Sequence, residues 1–191
     1  MTAATRHRGL RSLGPTFILV VIAGSLASVG AGISSLAIWT DSEDASGAFT
    51  AGTVDLALSP TTIFTATGIG PGQTGSAPLT VSNSGTMALR YALTSSSTND
   101  DGLGLRAQLL LTVAPGACPG GTALFGPAAV AGASFGDPTQ GSHSGDRTLA
   151  AGASETLCFT WALPSSTGDS YQGSTTTTTF TFAAEQTVAN P

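Results

Sequence analysis

Alternation of apolar and polar residues is the feature that most restricts this chain. Met87, Leu89, Tyr91 and Leu93 fall on one side of an extended backbone, with Ala88, Arg90, Ala92 and Thr94 on the other. Leu79 and Val81 alternate with Thr80 and Ser82 just before them. Asn83-Ser84-Gly85 joins the two runs, so a β-hairpin is expected there. Leu105, Ala107, Leu109, Leu111 and Val113 repeat the pattern and predict another strand. Leu157, Phe159, Trp161 and Leu163 do the same, which turns Cys158 to the opposite face, toward whatever covers it. Ser174 to Phe182 is almost entirely β-branched or aromatic, a strong strand signal, with Phe180 and Phe182 on one face. Ile63-Phe64-Thr65 is a shorter strand candidate. Residues 114–146 read as loop, with weak apolar spots at 123–125 and 128–130. No amphipathic helix stands out beyond residue 37. Seven to nine short strands with Gly, Pro and Ser turns predict an all-β, antiparallel β-sandwich, jelly-roll-like, preceded by an N-terminal signal peptide helix.

The signal peptide rests on residues 1–37. Arg6, Arg8 and Arg11 form a basic start, Phe17 to Ile33 an apolar run, and Ser35-Leu36-Ala37 a small-residue cut site. Cleavage after Ala31 and an uncleaved anchor are the alternatives; the glycines in the run weaken it as a span of about 20 residues. Residues 38–191 then form one domain. That part keeps three arginines, Arg90, Arg106 and Arg147, against eleven acids, a net charge of −8. The chain has no lysine. Such a surface excludes nucleic acid as a partner, and contact with a membrane is expected only through the signal peptide before cleavage. Two cysteines in an exported chain, Cys118 and Cys158, read as a disulfide, with two separate buried thiols as the alternative.

The search for catalytic chemistry returns little. No HExxH pair is present, and His143 is the one histidine after residue 37. Ser142, His143 and Asp146 can be written as a triad, but sequence neighbours rarely point at one another as a triad requires. Glu155 and Glu185 can be paired as acid and base without anything to fix their separation. Acidic turns at Asp41, Glu43 and Asp44 and at Asp100 and Asp101 lack the calcium-loop pattern and read as solvated. No catalytic residue, metal ligand or cofactor site is assigned.

The stretch 38–58, IWTDSEDASGAFTAGTVDLAL, supplies a strand that cleavage would free, with Val54, Leu56 and Leu58 on one face and Thr53, Asp55 and Ala57 on the other. Such a strand can complete its own sheet or a neighbour's. It resembles the start of the TasA/camelysin (CalY) family, in which an aromatic and an acidic residue lead into a TFTAGTLDL-like strand. The matching positions are Trp39, Asp41, Phe49 and the run Thr50 to Leu56. The runs LTVSNSGTMALRYALT, SETLCFTWALP and YQGSTTTTTFTFAAEQT resemble the middle and end of actinobacterial members. The resemblance implies a secreted jelly-roll protein of the cell surface or biofilm matrix, cut by a SipW-type signal peptidase. It also implies self-association into fibres by donor-strand exchange, with Trp39, Phe49, Val54, Leu56 and Leu58 in the donor strand. Some camelysin relatives are classed as metallopeptidases, a class these residues do not support. A surface binding module using loops at one end of the sandwich, such as 114–146 or 169–173, is the alternative function.

Overall fold

The computed structural model describes residues 46–188. The signal peptide, the cut site, Trp39 and the first acidic turn lie outside them. A compact unit begins at Phe49. Its strands are β1 (Leu56–Ser59), β2 (Thr74–Asn83), β3 (Leu89–Ser97), β4 (Leu110–Pro115), β5 (Phe125–Ala129), β6 (Ser134–Phe135), β7 (Arg147–Leu149), β8 (Ser154–Ala162) and β9 (Thr178–Gln186). One helical turn, α1 (Leu105–Gln108), precedes β4.

The strands form two antiparallel sheets, the sandwich that the alternation predicts. One runs β1-β2-β8-β4-β5. The other centres on β3. β9 pairs with all nine residues of β3, so β6 and β7 share its other side. Each sheet turns an apolar face inward. Leu79, Val81, Leu111, Val113, Leu157 and Phe159 come from the first, and Leu89, Tyr91, Leu93, Phe135 and Leu149 from the second. Aromatic edges join the layers: Phe159 meets Phe180 at 5.1 Å between ring centres in an edge-to-face contact.

Three local expectations are corrected. β2 and β3 are not a hairpin. The Asn83–Ala88 turn carries the chain from one sheet to the other, and each strand pairs with partners far along the chain. Buried Asn83 holds this crossing. Its Nδ2 donates to the carbonyls of Met87 (2.8 Å), Ala150 (3.1 Å) and Leu149 (3.2 Å), and its Oδ1 accepts from the Gly85 N–H. The strand expected from Leu105 begins only at Leu110, because Gly104 takes a left-handed φ of 80° and sets the chain into a helical turn. Ile63 and Phe64 pack against the core without joining a strand. Three short strands, β5, β6 and β7, fall in or beside the region read as loop.

Cys118 and Cys158 form a disulfide. Cys158 faces outward from β8, as its alternation with Leu157 and Phe159 requires. The 116–121 loop covers it, bonded through Gly116 N–H to the Thr156 carbonyl. The bond closes a separation of 40 residues. Replacing both cysteines with serine is expected to lower unfolding free energy by about 3–4 kcal/mol, measured by urea denaturation. Asn83→Ala should cost about 2–3 kcal/mol, since it removes three hydrogen bonds to carbonyls at the crossing and the acceptor of the Gly85 N–H.

Candidate assembly edge and polar groove

The segment that opens the domain docks on the inter-sheet turn. The Thr53 carbonyl accepts from Thr86 N–H (3.0 Å) and Met87 N–H (3.1 Å), and Thr53 N–H donates to Thr86 Oγ1. The Asp55 carbonyl accepts from Ser84 N–H at 2.8 Å. Close approach explains Gly85: a Cβ there would sit 2.4 Å from the Thr53 oxygen. β1 follows as an edge strand, Leu56 opposite Asn83 and Leu58 opposite Val81. Leu56 and Leu58 pack on the core. Val54 precedes the strand and is 40% exposed, although the Thr53 and Asp55 bonds continue the β1 register. Phe49 is 98% exposed. Two of the five expected donor residues therefore pack together, two are exposed, and Trp39 lies outside the described residues.

A groove of about 450 Å³ opens beside the second sheet, bordered by Arg90, Asp137, Gln140, Asp146, Glu185 and Gln186. Arg90 projects from β3 on the face away from the core, and opposite it in register Glu185 accepts its Nε at 2.5 Å. Glu185 Oε1 also accepts the Gly141 N–H, which ties the 137–146 loop to the sheet. Asp146 accepts the N–H groups of Asp137 (2.9 Å) and His143 (2.8 Å). Asp137 lies below the usual carboxylate range because Thr139 donates to it from both backbone and hydroxyl.

A second carboxylate spans the layers. Tyr91 Oη on β3 donates to Glu155 Oε1 on β8 at 2.6 Å, and Arg147 Nε donates to the same carboxylate at 2.9 Å. Burial, with the Glu155 acceptor beside it, pushes the Tyr91 phenol well up. The Glu155 hydrogen bond raises Arg147. Sequence reasoning missed both ion pairs. Arg90 gave a signal, an arginine inside a strand-like run, whereas Arg147, next to the stretch read as loop, gave none.

Residues 12–103 match the family model described as camelysin metallo-endopeptidase. Over these residues the chain is similar to the camelysin family. The matched span takes in β1, β2 and β3 with the docked turn between them. No curated protein matches the chain.

A camelysin metal centre would need ligands that converge, and the described residues do not fit one. Among them no three His, Cys, Asp or Glu side chains come together. The His143 ring contacts Thr139 Oγ1 (3.2 Å) and the Gln140 carbonyl (3.3 Å), while Asp146 holds backbone N–H groups. The sequence-adjacent Ser142, His143 and Asp146 thus build a loop and no triad. Glu155 and Glu185 each hold a different arginine. Asp101 ties Thr175 N–H (2.6 Å) and Leu103 N–H (2.9 Å), and the Thr175 bond is the main cause of its lowered pKa.

That lowering fixes a sign. A carboxylate depressed in the folded state stabilises above its unfolded pKa of about 4, and the contribution is lost as pH falls through the folded value. Asp101→Asn is therefore expected to flatten the loss of melting temperature below pH ~4, read from thermal scans across the acid range. Leu56→Lys should destabilise the monomer by about 1–2 kcal/mol, because a charge replaces a core contact at an edge, measured by denaturant titration.

Proposed function

We propose that this protein is a secreted, non-catalytic structural subunit of the cell surface or extracellular matrix, processed by a SipW-type signal peptidase and assembled through its N-terminal strand. The observation that carries the reading is β1. The motif that resembles the camelysin and TasA proteins leads into a four-residue edge strand, and the chain upstream of it runs past exposed Phe49. An edge strand this short is held by few ladder bonds. If it leaves β2, the same register is open to β1 of another copy, and exchange rebuilds between subunits the ladder and packing that one subunit gives up. The disulfide fits an oxidising compartment outside the cytosol. The carboxylates that a peptidase reading would use are engaged in holding loops and layers.

A second reading has its own support. The groove beside Arg90 and Glu185 is edged by the 137–146 loop, within the stretch expected to serve a surface binding module. Charged and amide side chains border a lining that also includes Ala92, Ala183 and Ala184, and its loop is braced by Asp146, which suits a small ligand with polar groups.

Electron microscopy and size-exclusion chromatography on a chain beginning at Ile38 and one beginning at Gly52 test the assembly reading. Fibres or assemblies larger than a dimer from the longer chain alone are expected. Identical size distributions from both would overturn it and favour the groove.

A further inference from the structure

Two stacked sheets present four outer edges, and three of them are blunted. β1 is four residues long. β5 carries Pro127, and its register with β4 shifts between Leu111 and Val113. The side of β3 opposite β9 is broken into a two-residue and a three-residue strand. Short strands, prolines and bulges are the usual guards against edge-to-edge pairing.

β9 has none of them. It runs nine residues, Thr178–Gln186, in unbroken register with β3, and no other described strand pairs with its outer side. It contains no proline, glycine or lysine. Its single charge, Glu185, is neutralised by Arg90. Beside it the outer face of the sheet is a plane of hydroxyls: Thr181 lies opposite Thr94, Thr179 opposite Ser96, and Thr177 is bonded to Thr98. Acidic residues elsewhere make most surfaces of two copies repel. This edge is where two copies approach without like charges in opposition.

We propose that β9 pairs antiparallel with β9 of a second copy, around a two-fold axis at Thr181. That register keeps inward residues inward. It sets Phe180 of each copy opposite Phe182 of the other, giving two aromatic cross-strand pairs. A two-fold axis at Phe182 would give one. The outer faces meet as Thr181 against Thr181 and Thr179 against Ala183, extending the hydroxyl plane across the axis. About 30 Å of edge is joined, less than a permanent interface buries, so the dimer is reversible and grows with concentration. The pairing is independent of β1, which edges the other sheet.

Single-cysteine trapping tests this directly, because the chain's two cysteines are already joined. In the full chain, Thr181→Cys places two thiols directly opposite, within disulfide reach. Mild oxidation is expected to give a covalent dimer on a denaturing, non-reducing gel. Ser134→Cys, exposed on the far side of β3, is expected to stay monomeric. Thr179→Lys puts a guard on the exposed face of the strand. It should abolish the reversible dimer in sedimentation velocity, with an unchanged circular dichroism spectrum. Cross-linking no faster at Thr181→Cys than at Ser134→Cys, or an undiminished dimer in Thr179→Lys, overturns the proposal.

Discussion

Both layers depend on how the chain crosses between them at Asn83. An amide buried at the end of β2 reaches the carbonyls of its own turn and of the 149–150 segment, which belongs to the other sheet's last short strand and the loop after it. Backbone groups buried at a sandwich end lack water and need such a donor. Once the turn is fixed, its outer surface becomes the docking place for Thr53 and Asp55, and β1 follows in register. The opening motif and the crossing turn are thus one structural unit, although some thirty residues separate them. The family match covers both.

The same economy governs the charges. A domain with three arginines uses two of them to neutralise carboxylates beside or between the sheets, Arg90 with Glu185 and Arg147 with Glu155. Removing one partner of such a pair leaves a charge in a poor dielectric, which costs more than the pair itself contributes. These acids serve packing. Tyr91 shows the coupling between layers: its ring packs near Phe135 and Phe182 while its hydroxyl crosses to β8.

Faces were legible in the sequence and partners were not. Alternation identified β2, β3, β8 and β9 and turned Cys158 away from the core, because period-2 burial is a local property. The Asn83–Gly85 turn looked like a hairpin because tight turns usually join neighbours. What overrules that is the need of each strand for a partner in its own layer, β8 for β2 and β9 for β3. Leu105 kept the strand period and still began a helical turn, since the left-handed glycine before it decides the backbone there. At the candidate site, Leu56 and Leu58 were readable from alternation. Val54 follows the same period but is exposed, since it precedes the strand. The groove was invisible, as it arises where a loop from residues 137–146 meets Arg90 and Glu185.

The pairing of β2 with β8 and of β3 with β9 also has a consequence in time. A chain is made from its N-terminus, so each of the two long early strands waits through nearly half of synthesis for the strand that completes it. Contacts this far apart in sequence form late and slowly. The layers close only after Gln186 is in place, and the half-made protein is a set of unfilled ladders. Such a chain remains threadable until its last strand arrives, which suits a polypeptide that passes through a membrane before it folds.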